Sequence, residues 1–548
     1  MASRDKALKA PKAPKAAPVG RRPAAGKVDE AAQRPPAVPL AQLMGQHALD
    51  MAHMVQKGVA DAFVGSLGLH GERMSKVDTA WLRMDGESNL MMIVGVWVVK
   101  PGIRYADLAQ RLTDRLLKYP RFVQIAEEDS AGATWAKDPH FDLAQHLVIE
   151  TLTPHRKGTE QQALQERLGA LCMQPLDKRR PLWQFHLVED YRGGSAIMVR
   201  IHHCIADGIA LIAVTQSLVD GGAPPPEVHH APHRHGLEGA EDWIADSFLK
   251  PFTNMTMKAL GAAGEGAVRS LGLLLDPQKG MEDGLHNSVD MAKLAYHVMS
   301  DAAALALMPD DSPTRLKGQP GHSKRVAWCP PLPLDDVKAV GKALNCSIND
   351  VLLSSVAGAL GQYLRGHGDT VDGLEIRAMI PVNLRSMDKA YQLGNQFGLV
   401  PLVLPIGIEN PVERLYEVRK RMRELKGSTQ PLLAFAVLGM AGLMVKPVQN
   451  AIMGLFTSKT TAVMTNVPGP REKLKICGAT IEESLFWVPQ SGTVGLGVSI
   501  LSYGGGVQFG VVADATLCPD PQAIIDRFEP EFTKLATLTL MLPWGEAD

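Results

Sequence analysis

Residues 200–210 read "RIHHCIADGIA": two adjacent histidines, His202 and His203, then the pair Asp207–Gly208 after three residues, with apolar residues on both sides. The stretch leading in, "SAIMVRIHH" from Ser195, is apolar and β-branched behind a break at Gly193 and Gly194. That is the pattern of a buried strand. The stretch leading out, Ala206 to Leu218, has helical spacing. The motif is therefore expected where a buried strand ends and a turn begins. Side chains alternate along a strand, so the two rings should face opposite ways, and only one can line a given cavity.

Three chemistries fit two imidazoles and a carboxylate in such a place. Buried histidines can simply be satisfied by hydrogen bonds. They can bind metal, although neighbouring residues on a strand diverge and no helical His-x-x-x-His pair supports them. Or one neutral imidazole can act as a general base while a second group fixes its tautomer or the loop that carries it. The motif alone does not choose among them.

Working outward, strand-like runs ("MIVGVWVVK", "IRAMIPV", "VGLGVSILSY", "VQFGVVAD") occur between helix-like segments, which gives an α/β or α+β fold. With 548 residues, 45% of them hydrophobic, the chain can bury sizeable cores in two or more domains. Its net charge of −1 gives no general reason to expect nucleic acid. The six cysteines (172, 204, 329, 346, 477 and 518) are scattered without a Cys-x-x-Cys pair, as in a reducing compartment with no disulfide framework or zinc site. The first forty residues lack the apolar core of a signal peptide, and there is no run of 18 apolar residues, so a cytoplasmic protein is expected.

The segments differ in character. Residues 1–39 are rich in Ala, Pro and Lys and should be disordered. Residues 1–28 carry eight Lys or Arg against the single acid Asp5, a balance drawn to anionic surfaces. Residues 40–73 read as an amphipathic helical extension. A first α/β lobe covers 74–222, a linker with connecting helices covers 223–321, and a second lobe covers 322–548. The linker's histidines (229, 230, 233 and 235) lie among prolines in an extended, solvated stretch, so no metal site is expected. The run Pro431–Phe456 suits either a core helix or a helix along a lipid path.

Further blocks frame the motif: "MSKVDTAWLRMDGESNLMMIVGVW" from Met74, "LDKRRPLWQFHLVEDYRGG" from Leu176, "INDVLLSSVAGAL" from Ile348, "PVNLR" from Pro381, "GNQFG" from Gly394, "TNVPGP" from Thr465 and "SYGGGVQFGVVAD" from Ser502. In order and spacing they span about residues 74–545, and the sequence there resembles the bacterial wax ester synthase/diacylglycerol acyltransferase family, within the wider HHxxxDG acyltransferases. One departure is visible: Asn89-Leu90-Met91-Met92 stands where the family usually has a Pro-Met-His-type segment.

The resemblance implies two similar lobes, each a mixed β-sheet flanked by helices, with an active-site tunnel between them. It implies transfer of a long-chain acyl group from acyl-CoA, as substrate, to a fatty alcohol or diacylglycerol, with no cofactor. His203 would be the general base and His202 structural. Asp207 would hold the loop through an arginine, Arg385 or Arg200, with the triad role of orienting His203 as the alternative. Gly208 would permit a close turn. Asn349 is a candidate oxyanion donor, although it and Asp350 also suit the cap of the helix that follows. Pro181, Leu182, Trp183, Asn383, Asn466, Pro468 and Gly469 would shape the lobes. Cys204 reads as a small buried thiol, with a covalent ping-pong mechanism as the alternative. The partners implied are acyl-CoA, the acceptor lipid and a lipid-droplet or inner-membrane surface, with no nucleic acid. A non-enzymatic lipid-granule scaffold is the competing class of function, and an amide-forming condensation domain is disfavoured because no carrier-protein domain lies beside it.

Overall fold

A computed structural model describes residues 72–129, 132–153, 158–225, 308–385, 393–426 and 456–541, with isolated positions between 427 and 455. The basic tail, nearly all of the helical extension, the histidine-bearing linker and most of the run 431–456 lie outside the described residues.

In chain order the strands are β1 (Glu72–Arg73), β2 (Met92–Lys100), β3 (Gln124–Asp129), β4 (Gly132–Lys137), β5 (Leu147–Ile149), β6 (Trp183–Tyr191), β7 (Gly194–His202), β8 (Lys324–Trp328), β9 (Leu332–Pro333), β10 (Ile376–Asn383), β11 (Phe397–Leu404), β12 (Ala462–Pro468), β13 (Lys475–Ile476), β14 (Ala479–Trp487), β15 (Leu496–Tyr503) and β16 (Gly506–Asp514). The α-helices are α1 (Lys76–Arg83), α2 (Tyr105–Asp114), α3 (Glu160–Cys172), α4 (Gly208–Leu218), α5 (Leu334–Ala343), α6 (Ile348–Gly366), α7 (Pro411–Lys426) and α8 (Gln522–Leu540). Two large mixed sheets carry the fold, one in the order β13-β14-β2-β7-β6-β5 and one in the order β11-β10-β12-β15-β16-β8, with β9 on β16. A small sheet, β1-β4-β3, stands beside them. The expected α/β architecture of sheets flanked by helices is present.

The strand that delivers the motif is central in its sheet. Arg192 and Gly193, at φ 53° and 73°, supply the two left-handed residues of a tight hairpin turn between β6 and β7. β7 then runs antiparallel to both β2 and β6. Alternate residues feed two cores. Ile197 and Ile201 face one with Trp97 and Phe185, and Ala196 and Met198 face the other with Val96, Leu164 and Leu168. A strand covered on both faces needs an apolar residue at nearly every position, which is why it reads as a continuous run.

Two expected boundaries are corrected. Residues 475–487 do not stay with the second sheet. β13 and β14 extend the first sheet, with β14 antiparallel to β2, so the division at 322 separates chain segments rather than sheets. At the other end, Glu72 and Arg73 pair with β4 as a strand instead of closing a helical extension.

The departure at Asn89 ties the two halves together. Its Nδ2 donates to the Gly492 carbonyl at 2.8 Å, and its Oδ1 accepts from the buried Lys324 Nζ at 2.6 Å. Among the described residues no single helix is long and apolar enough to cross a membrane.

Candidate active site

β7 ends at His202, paired with Met92, and five residues form the loop before α4 starts at Gly208. His203 therefore lies just beyond the strand. Its backbone N–H donates to the Met91 carbonyl at 2.7 Å, and that of His202 donates to Leu182 at 2.9 Å. Strand alternation ends here, so the loop decides where each ring points.

The two rings meet different partners. His202 Nδ1 accepts the Cys204 backbone N–H at 3.2 Å, which puts the ring proton on Nε2, 3.3 Å from Asp85 Oδ1. Asp85 also accepts the Met91 N–H at 2.8 Å, so His202 fastens the loop to the residues after α1. His203 is stacked on Trp81, with centroids 4.3 Å apart and planes 13° apart, and Phe397 lies 5.4 Å away on a tilted plane. Its Nδ1 is 2.7 Å from Asn395 Oδ1. Burial pushes the His203 pKa down to about 4, so the ring is neutral at neutral pH.

Asp207 is the N-cap of α4, with Oδ1 accepting the Ala210 N–H at 2.9 Å. Its Oδ2 accepts from Arg385 at 3.0 Å and from the Gln396 N–H at 2.9 Å. Arg385 is therefore its arginine. Arg200 instead spends its guanidinium on the Gln184 side chain and the carbonyls of Leu171 and Gln174. Asn383 holds Arg385 in place, donating to its carbonyl at 2.8 Å and accepting its N–H at 3.0 Å. None of these Asp207 bonds goes to His203, so the carboxylate braces the loop and no Asp207–His203 pair forms.

Gly208 is corrected in its role. Its backbone is not in the left-handed region, and a Cβ built there would meet nothing within 4 Å. The residue lines an apolar cavity of about 120 Å³ together with Trp97, Phe185, Leu211, Ile481 and Tyr503. The absence of a side chain leaves that cavity open. The glycine that the backbone does need is Gly394, at φ +108°, where a Cβ would also stand 3.2 Å from Asp78 Oδ2.

Asn349 and Asp350 separate in role. Ser347 is the N-cap of α6, and Asp350 closes the capping box with bonds of 2.9 and 3.2 Å. Asn349 is thus not the cap. Its Oδ1 accepts from Asn466 Nδ2 at 2.7 Å, which joins two of the sequence-selected asparagines and leaves the Asn349 amide nitrogen as the donor end. Trp183 packs in the core, donating from Nε1 to Phe122 at 2.9 Å and stacking on His146, while its backbone N–H closes on Pro181. Pro181, Leu182 and Trp183 are all buried. Cys204 is fully buried, and burial raises its thiol well above the ordinary value, which disfavours the thiolate that nucleophilic attack requires.

The residues not singled out from sequence are Asp78, Trp81, Asp85, Asn395 and Phe397. Asp78, Trp81 and Asp85 recur at three- and seven-residue intervals in the block from Met74, a spacing that places them on one side of α1 and its continuation. Nothing local distinguishes Asn395 from its neighbours in "GNQFG".

A second apolar cavity, about 80 Å³, is walled by Trp81 and Phe397, the two aromatic neighbours of His203, with Met379, Leu399, Leu438 and Val463. The histidine-bearing loop therefore lies against two apolar cavities, one bounded by Gly208 and one by the rings that pack on His203. A buried neutral imidazole in a loop flanked by apolar cavities suits proton transfer with apolar reactants.

Comparison with known proteins places this arrangement. Residues 74–352 match the wax ester synthase/diacylglycerol acyltransferase catalytic domain, and residues 393–536 match the corresponding C-terminal domain. The chain belongs to the wax ester synthase/diacylglycerol acyltransferase family. It is an acyltransferase. A probable diacylglycerol O-acyltransferase of Mycobacterium tuberculosis is 27% identical over 439 residues, covering 79% of this chain and 88% of that protein. A wax ester synthase/diacylglycerol acyltransferase from Marinobacter aquaeolei has a similar fold, with a TM-score of 0.56, 18% identity and coverage of 85% of this chain and 99% of that one. The first condensation domain of a calcium-dependent antibiotic synthetase shares the fold at a TM-score of 0.51 and 15% identity, over 86% of this chain and 96% of that one. The enzyme assignment sets aside the granule-scaffold alternative.

Proposed function

We propose that this member of the family transfers a long-chain acyl group from acyl-CoA to the hydroxyl of a fatty alcohol or diacylglycerol, with His203 as general base. The observation that carries the reading is the buried, neutral His203 ring, clamped between Trp81 and Asn395 beside two apolar cavities. Acyl-CoA is already activated as a thioester, so the remaining demand is a nucleophile. An alcohol is almost wholly protonated at neutral pH. His203 takes the hydroxyl proton as the oxygen attacks the thioester carbonyl, a service worth about 10²–10⁴-fold. The tetrahedral intermediate then collapses, the C–S bond breaks, and the proton held by His203 passes to the departing CoA thiolate. The Asn349 amide nitrogen is the proposed donor to the oxyanion, with Asn466 fixing its orientation. Each methylene moved out of water contributes about 0.8 kcal/mol, so the apolar linings of these cavities favour a hydrocarbon chain over a polar group.

The test uses purified protein, palmitoyl-CoA, and a panel of fatty alcohols and diacylglycerol, with product ester and free CoA both quantified. Ester formed one for one with CoA, and lost in His203→Ala, is the expected result. Ester formation retained in His203→Ala overturns the base, and no ester with any acceptor overturns the substrate class.

We further propose that the enzyme works in the cytoplasm at a lipid-droplet or inner-membrane surface, held there by the basic residues of its first 28 positions. Deleting residues 1–70 should reduce sedimentation with anionic liposomes while leaving turnover on detergent-dispersed substrate intact. Equal binding by both proteins discards the anchor.

A further inference from the structure

The strap Gly394–Gln396, which leads into β11, is clamped between α1 and the motif loop. Gly394 bonds Ile205 through its N–H and Asp207 and Arg385 through its carbonyl. The Asn395 side chain faces the other way, into a chain of buried polar groups that Asp207 does not join.

That amide can be oriented from its contacts. Asn395 Nδ2 lies 2.7 Å from Asp78 Oδ1 and 2.6 Å from the His203 carbonyl oxygen. Both are acceptors, so both call for the NH₂ end. Turned over, the amide oxygen would press against a carboxylate oxygen and a carbonyl oxygen with no proton between them. The Asn395 backbone N–H also donates to Asp78 Oδ1 at 3.0 Å, which fixes the carboxylate in turn. Burial raises the Asp78 pKa above its ordinary value, and Arg121, 3.7 Å from Oδ2, counters that shift. The amide oxygen is thereby directed at His203 Nδ1, 2.7 Å away. An amide oxygen cannot donate, so the ring nitrogen must.

We propose that Asp78 and Asn395 are positioning residues that hold His203 in the Nδ1–H tautomer and leave Nε2 bare to take the acceptor hydroxyl's proton. The inference rests on His203 being the base and adds how the base is prepared. When Nε2 gains the proton the ring becomes an imidazolium, and its Nδ1–H bond to Asn395 becomes charge-assisted and stronger. The carboxylate of Asp78, one amide further on, offsets the new charge without accepting a proton. This is the work a triad aspartate does, moved one residue away and routed through a neutral amide.

The experiment compares Asn395→Leu, His203→Ala and the double variant on palmitoyl-CoA and a fatty alcohol, with His-selective ¹⁵N NMR at neutral pH. The His203 signal is assigned by its loss in His203→Ala. The expected results are a wild-type His203 protonated on Nδ1, and an Asn395→Leu enzyme that loses about 100-fold in kcat with its KM for acyl-CoA little changed. A residue that acts only through His203 has nothing to lose once the ring is gone. The double variant should therefore be no slower than His203→Ala alone. Asp78→Asn, which keeps an acceptor oxygen but removes the charge, should lose less than Asn395→Leu. A wild-type His203 protonated on Nε2 overturns the inference, and that spectrum suffices even where the leucine variant does not fold. Full kcat in a folded Asn395→Leu, or an equal loss in the His203→Ala background, overturns it as well. Activity retained in His203→Ala instead rejects the general base itself, so the two failures are distinguishable.

Discussion

His202 and His203 are adjacent in the chain, equally buried, and held by different groups. Both ring nitrogens of His202 are committed inside the protein, one to the Cys204 N–H and one to Asp85. His203 is held by its flat face against Trp81 and by one nitrogen against Asn395. A ring with both nitrogens occupied can only brace a loop. A ring gripped by its face and one nitrogen keeps the other for chemistry. Identical side chains one residue apart thus differ in the contacts that hold them because their neighbours differ.

Substitutions should expose the difference, and the largest effect belongs to His203. His203→Ala should lower ester formation by at least about 100-fold while the protein still folds by circular dichroism. Asp207→Asn comes next, since it removes the carboxylate charge that pairs with the buried Arg385. A loss of about 3 kcal/mol in unfolding free energy is expected together with a lower rate, as for other broken buried pairs. An unchanged melting temperature would count against the bracing role. His202→Gln should cost about 1–2 kcal/mol of stability through the lost Asp85 bond, and reduce kcat much less than His203→Ala does. A His202 variant as inactive as His203→Ala would erase the contrast. Cys204→Ala should be the mildest of the four and keep most activity. A folded but inactive Cys204 variant would favour a covalent intermediate.

Acid should act through His203. The His203 pKa is lowered to about 4 in the folded protein by burial and returns to about 6.5 on unfolding. The unfolded chain therefore binds more protons as pH falls below 6.5. Stability is full above that value and is lost progressively toward pH 4. His186, pushed down to about 4 by burial and by Arg200, contributes in the same direction. Denaturant titrations between pH 7 and pH 4 should show this slope, and His203→Ala should flatten it. An unchanged slope in that variant would place the titration elsewhere.

Much of this was legible in the residues. Hydrophobic runs marked β2, β7, β10, β15 and β16, because a strand covered on both faces must be apolar at nearly every position. Helical spacing marked the segment Ala206 to Leu218, and the helix there starts at Gly208 with Asp207 as its cap. The roles of Gly208 and Asn349 were less legible. A glycine reads as a backbone device, whereas Gly208 serves by leaving a cavity open. An asparagine before a helix reads as a cap, whereas Ser347 takes that position and Asn349 turns to Asn466.

The sequence by itself determined the strand, the turn, the capped helix and the family blocks, since each depends on neighbours a few residues away. Only the tertiary structure decided which groups the histidines meet. Asn395 reaches His203 across 192 residues, Asn395 reaches Asp78 across 317, and Arg385 reaches Asp207 across 178. Likewise only the fold sends residues 475–487 back to the first sheet. Such contacts leave no local periodicity to read. They exist because packing two covered sheets brings α1, the motif loop and the strap before β11 to one place, where buried polar groups must satisfy one another in the absence of water.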